Sequence, residues 1–184
     1  MDRRQRKTRN AIFTAFIQLL SEKNVNSITV GEIIERADVG RATFYAHFET
    51  KDFLIKELCE ELFCHIFDAQ NNEFDHKHLF ECDNHGSVFQ HLFSHLRKND
   101  NHILDLLSSQ NNSLFLEYFK SGLKELIENQ EDVIEFHKKA DIPYDFYINH
   151  VCATFVETVL WWINNKMAQS EDEITRYFLS VINA

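Results

Sequence analysis

Ser27-Ile-Thr-Val-Gly-Glu-Ile-Ile-Glu-Arg-Ala-Asp-Val-Gly-Arg-Ala-Thr-Phe-Tyr-Ala-His-Phe48 is the stretch whose reading decides the fold. It predicts two short helices joined by a sharp turn, the shape that lays one helix in a DNA major groove. Thr29 followed by Glu32 is a capping box, in which hydroxyl and carboxylate each satisfy a free backbone N–H. Val30, Ile33, Ile34 and Ala37 give the first helix its buried face. Asp38 stands where the chain must turn, and Asp tolerates the left-handed conformation better than most residues. The second helix spans about residues 40–47, with Phe44 as its inward anchor. A helix this short does not form alone in water, so it needs its neighbours as a platform.

Working outward, Ile12, Phe13, Phe16, Ile17 and Leu20 recur at helical spacing and predict a preceding helix over 4–23. Five basic residues, Arg3, Arg4, Arg6, Lys7 and Arg9, stand at its start. On the other side, Thr50 and Asp52 open a long helix. Leu54, Leu58, Leu62 and Ile66 form one ridge of it, and Ile55, Cys59, Phe63 and Phe67 the next. Residues 70–86 are polar and weakly periodic, which reads as a link. Helical patterns resume over 87–97, 102–108 and 113–129. Pro143 opens a penultimate helix that is apolar on two faces, so it must be covered twice. A last helix follows Ser170, offering Ile174, Phe178, Val181 and Ile182.

Only four Gly and one Pro occur in 184 residues, which favours long helices over turns and strands. The net charge of −10 divides into +3 over residues 1–51 and −13 over 52–184. A basic end on an acidic body suits a protein that touches DNA with one face. Cys59, Cys64, Cys82 and Cys152 are scattered without a CxxC pair, consistent with a reducing cytoplasm. The N-terminus lacks a signal-peptide pattern, and no apolar run of about 18 residues predicts a membrane span. The expectation is a cytoplasmic protein.

Residues Ile28 to Leu54, with the Phe44-Tyr-Ala-His-Phe48 end and the Lys51-Asp-Phe-Leu54 start of the next helix, resemble the DNA-binding domain of the TetR/AcrR family of bacterial transcriptional regulators. Phe155-Val-Glu-Thr-Val-Leu-Trp-Trp-Ile-Asn-Asn165 with Ser170-Glu-Asp-Glu-Ile174 is similar to a C-terminal domain of many such regulators, including relatives of the dihydroxyacetone kinase regulators. The resemblance implies an all-α fold of about nine helices, as fold-level analogy. A three-helix helix-turn-helix head (residues 1–50) would precede a helical effector-binding and dimerisation body (51–184). It implies a homodimer on a pseudo-palindromic double-stranded operator, most often a repressor released by a small-molecule effector. Asp38 departs from the Gly common in the family, and Gly40 from the frequent Ser or Thr cap. Gly is an adequate N-cap.

The candidate DNA-binding residues are Thr29, Gly40, Arg41, Ala42, Thr43, Tyr45, His47 and Lys51. Arg41 at the start of a recognition helix can bond O6 and N7 of guanine, worth about 1–3 kcal/mol of discrimination. Thr43 and Tyr45 match positions that contact backbone or bases. His47 and Lys51 are read as phosphate contacts, Lys51 at a helix start where backbone N–H groups also favour an anion. The five N-terminal basic residues either reach the adjacent backbone or minor groove, or form a frayed, solvated end. Phe89, Phe93, Phe115, Tyr118, Phe119 and Phe136 are candidate lining for an apolar or aromatic effector, although core packing is the favoured account of them. Phe155, Val159, Trp162, Ile174, Phe178 and Val181 are the candidate dimer face.

Ten histidines invite a metal reading. His76, His78, Cys82 and His85 are close in sequence, and His91 and His95 share a helix face. Their spacing matches no recognised zinc module, so no metal and no cofactor are expected. One Glu-x-x-His at Glu73–His76, with no Gly-rich phosphate loop, Gly-x-Ser-x-Gly or His-Glu-x-x-His, argues against an enzyme. Two other readings stay open here. One is a metal-responsive regulator using the His/Cys cluster; the other is an adaptor whose head binds protein.

Overall fold

A computed structural model describes residues 3–71, 87–98, 102–108, 113–130 and 142–183, with only the backbone of 68–71. Among them are nine α-helices and no strand. They are α1 (Arg3–Glu22), α2 (Val30–Arg36), α3 (Arg41–His47), α4 (Lys51–Asn71), α5 (Val88–Lys98), α6 (Ile103–Ser108), α7 (Ser113–Glu128), α8 (Tyr144–Asn164) and α9 (Glu171–Ile182). A single 3₁₀ turn, Val25–Ser27, separates α1 from α2. The all-α expectation is met, and the predicted helix bounds hold to within a residue or two. Beyond Asn71, the link expected over 70–86 lies outside the described residues, as do His76, His78, Cys82, His85 and Phe136.

The chain forms two compact units: Met1–Cys59 with Asn101–Leu116, and Glu60–Asp100 with Glu117–Ala184. The first therefore runs past the expected boundary at residue 50 and takes in α6.

In the first unit, Ile12, Phe13, Phe16 and Leu20 of the expected α1 stripe are buried, whereas Ile17 is half-buried and Leu19 lies in the core instead. α1 packs on α2, and α2 on α3. Arg36 closes the end of α2 onto Glu22 at the end of α1, Nη2 to Oε2 at 2.9 Å. Ile103, Leu106 and Leu107 bury the inner face of α6.

In the second unit, α9 packs on both α5 and α8. Its core is aromatic. Phe93 stacks on Phe155 at 4.8 Å between centroids, and Phe155 meets Phe178 edge-on at 5.3 Å. Phe89 reaches Phe178 at 5.0 Å, and Phe93 meets Trp162 at 5.7 Å. Such pairs add about 0.5–1.5 kcal/mol each beyond the area they bury. Between α8 and α9 the chain turns through two left-handed residues, Lys166 and Met167 (φ 56° and 51°). The Trp162 indole N–H donates to the Gln169 carbonyl at 3.1 Å, and Arg97 lies 4.9 Å over the Trp162 ring. Ser170 and Glu173 then form a second capping box that starts α9.

Candidate nucleic-acid interface

The helix-turn-helix is built as its sequence dictates. Thr29 Oγ1 accepts from the Glu32 N–H at 3.3 Å, and Glu32 accepts from the Thr29 N–H at 2.9 Å. The Lys23 ammonium, together with those Thr29 bonds, holds the Glu32 carboxyl down at about 2. A depressed carboxyl pKa stabilises the fold above the ordinary carboxylate range, and that contribution is lost as pH falls toward about 2. α2 ends at Ala37, and Asp38 takes the left-handed conformation (φ 51°) that reverses the chain. The Val39 N–H then reaches back to the Ile34 carbonyl at 3.1 Å. Gly40 is the N-cap of α3, extended at φ −75°, ψ 154°, without a side-chain cap bond.

α3 is held from beneath by two rings. Phe44 is 0% exposed and Phe48 2%, with centroids 5.8 Å apart. One anchor at the centre of a seven-residue helix leaves the opposite side free. Gly40, Arg41, Ala42, Thr43, Tyr45 and Ala46 are all exposed, and Tyr45 is 47% accessible although its ring edge meets Phe44 at 5.4 Å. A row of Arg, Thr and Tyr on a short helix, interrupted only by small Ala residues, can approach the edges of bases.

The flanking candidates fare differently. Thr29 is exposed, but its hydroxyl is engaged on both sides: it accepts from the Glu32 N–H and donates to the Glu32 carboxylate at 2.9 Å. His47 is half-buried beside Phe48. The Lys51 ammonium turns inward. It donates to the carbonyls of Val25 at 2.8 Å and Ile28 at 3.0 Å, and burial pushes its pKa below the ordinary lysine value. Two of its three N–H donors thus tie the start of α4 to the 3₁₀ turn, leaving one for a phosphate. The N-terminal basic residues lie on α1. Arg3, Arg4, Arg6 and Lys7 are exposed on α1, whereas Arg9 pairs with Glu57 and lies 5.7 Å over the Phe48 ring.

The candidates in the body are mostly spent on packing. Phe89, Phe93, Phe115 and Phe119 are buried and Tyr118 half-buried; Phe115 belongs to the first unit and the other four to the second. Of the expected dimer face, Phe155, Val159, Trp162, Ile174 and Phe178 are each 0% exposed within one chain. Val181 is 59% exposed. The outward-facing aromatics beside it are Trp161 (46%) and Tyr177 (41%). Adjacent helical residues point about 100° apart, so one of the Trp161–Trp162 pair faces inward and the other outward, and the structure makes Trp162 the inward one. Of the described cysteines, Cys59 and Cys152 are buried and Cys64 exposed, and burial pushes the Cys152 thiol up to about 11. His91 and His95 do come together as their spacing predicts, joined by His65, which the sequence gave no reason to add.

Residues 12–58 match the family described as "Bacterial regulatory proteins, tetR family", and residues 83–184 match "Transcriptional regulator C-terminal region". The crystal structure of a TetR transcriptional regulator from Streptococcus agalactiae superposes with a TM-score of 0.76 at 32% identity, covering 100% of this chain and 97% of that one. A TetR-family regulator from Syntrophomonas wolfei shares the fold at TM-score 0.68 and 20% identity, over 96% and 93% of the two chains. Among curated proteins, the HTH-type transcriptional regulator YxbF of Bacillus subtilis is 24% identical over 100% of this chain, which spans 46% of that protein. YvdT of the same organism is 33% identical over 31% of this chain and 29% of its own length. The chain belongs to the TetR family of transcriptional regulators. No helix among the described residues is long and apolar enough to cross a membrane.

Proposed function

We propose that this chain is a homodimeric, sequence-specific DNA-binding repressor. The observation that carries the reading is the exposed row Arg41, Ala42, Thr43 and Tyr45 on a helix clamped from behind by Phe44 and Phe48. Residues 1–50 are the proposed DNA-binding region and 51–184 the proposed region of control and assembly. Arg41, Thr43 and Tyr45 address bases. Gly40 and Ala42 let the helix approach closely, and Thr29, His47 and Lys51 support contacts to phosphate. Two such helices in a dimer read half-sites about 34–36 Å apart, one turn of DNA. Selection of bound fragments from genomic DNA by the purified protein tests this, and failure to enrich any sequence at moderate salt would sink it. In the same assay, Arg41→Ala should relax specificity at one position per half-site, at about 1–3 kcal/mol. Uniform weakening across all sequences would reduce Arg41 to a phosphate contact.

The partner in the dimer is a second copy, seated on an open groove of about 550 Å³ along α8 and α9. Ala153, Thr154, Glu157, Trp161, Tyr177 and Val181 are among the residues that line it. Half-exposed aromatic side chains of this kind are typical interface anchors. Trp161→Glu should weaken self-association by tenfold or more (about 1.4 kcal/mol), read by sedimentation equilibrium. An unchanged dimer would place the interface elsewhere.

The effector reading rests on the family alone. Phe89, Phe93, Tyr118 and Phe119 remain its proposed lining in the second unit, and a ligand there must part Phe89, Phe93 and Phe119 from the Phe155 ring they pack against. Its binding must favour one conformation over another to alter DNA affinity.

A further inference from the structure

α4 and α5 bring three imidazoles together inside the second unit. His65 projects from α4, and His91 and His95 from one face of α5, four residues apart. They are 9%, 4% and 1% exposed. Their ring centroids form a triangle with sides of 4.8, 4.9 and 5.2 Å. One ligand nitrogen from each lies within 4.8 Å of the others, and the Nε2 atoms of His91 and His95 are 3.1 Å apart. Wholly buried Leu62, Ile66, Leu92 and Leu96 flank them along the two helices.

We propose that His65, His91 and His95 form a binding site for a divalent transition metal ion of the zinc class. The geometry is close to what such an ion requires. Two nitrogens at about 2.0–2.1 Å from a tetrahedral ion stand about 3.3–3.4 Å apart. The His91–His95 pair is already near that separation, and a small rotation of the rings draws in the widest pair. Neutral imidazole suits zinc, copper, nickel and iron, whereas calcium and magnesium take oxygen ligands. Three histidines also leave a fourth position open, for water or an anionic group.

Burial among apolar side chains limits the access of bulk water to an ion held by the three nitrogens. The acidic body of the chain, net −13 over residues 52–184, favours a cation further. An ion here would cross-link α4 to α5. The site stands independently of whether α3 binds DNA, because ion binding is measured without DNA.

The test is titration of the full-length, chelator-stripped protein with Co2+, followed by displacement with Zn2+. The expected result is one ion per chain, with the visible absorption of nitrogen-ligated Co2+ and a metal-dependent rise in Tm. His65→Ala and His91→Ala should each weaken binding by about 100-fold or more, since outer-shell changes alone cost about 10–100-fold. His65→Phe keeps a ring in the core, so loss of binding with a retained apo Tm separates ligation from folding. A variant lacking His76, His78, Cys82 and His85 should bind as the parent does. The proposal is overturned if the parent shows no saturable binding, if His91→Ala binds normally, or if binding disappears with the 76–85 residues instead.

Discussion

Phe44→Ala is expected to destabilise the first unit by about 3–5 kcal/mol, the range for deleting a buried aromatic ring. Phe44 is wholly buried and is the one buried side chain that α3 itself contributes. Removing it leaves a cavity that Phe48 and Tyr45, the rings nearest to it, cannot fill without giving up their own positions. α3 has seven residues, a Gly cap without a side-chain bond, and no acidic residue in its first turn. Its own propensity cannot hold it once the anchor is gone. DNA affinity should therefore fall far more than for Arg41→Ala, and without preference among sequences. Urea denaturation and fragment selection on the same preparation check both halves of this expectation. Phe44→Leu keeps an apolar group at the anchor and should recover most of the loss. A Phe44→Ala protein with parental stability and binding would mean that α3 is held by something other than this ring.

The head was legible residue by residue because each of its decisions is local. Thr29 and Glu32 cap α2 three residues apart, Asp38 reverses the chain by its own backbone, and Phe44 is the lone large apolar side chain in its helix. Lys51 was legible only in part, for the opposite reason. Its charge and place suggested phosphate, but not the bonds its ammonium also makes to carbonyls 26 and 23 residues earlier, a contact that only the packed head creates. The body was legible as helices but not as faces. α8 is apolar on two sides, and periodicity cannot tell the side that meets α9 from the side left open. Hence Trp162 is core and Trp161 exposed, while five of six expected interface residues close the protomer itself. His65 shows the same limit. It sits 26 residues from His91, and nothing short of the α4–α5 pairing joins them.

Gly122→Ala should destabilise the second unit, although Ala is the better helix former. Gly122 lies within α7, where the exchange ordinarily gains about 0.8–1.0 kcal/mol. Here a Cβ would enter the Phe63 ring of α4, with Cε2 at 2.6 Å and Cγ at 2.7 Å. Phe63 has little freedom to yield, being 3% exposed and packed at 5.3 Å against Phe119. Overpacking of a dense core costs about 1–3 kcal/mol, occasionally more, and a contact this close belongs at the upper end. The expected net loss is about 2 kcal/mol, read by chemical denaturation. The decisive comparison uses Phe63→Ala as a second background. That change alone costs about 3–5 kcal/mol. It also removes the ring that the new methyl meets, so Gly122→Ala made on top of it should now stabilise by about 1 kcal/mol. The sign of one substitution reverses with the other residue, a coupling of about 3 kcal/mol that independent sites never show. If Gly122→Ala stabilises the parent chain as well, α4 and α7 do not approach through this glycine.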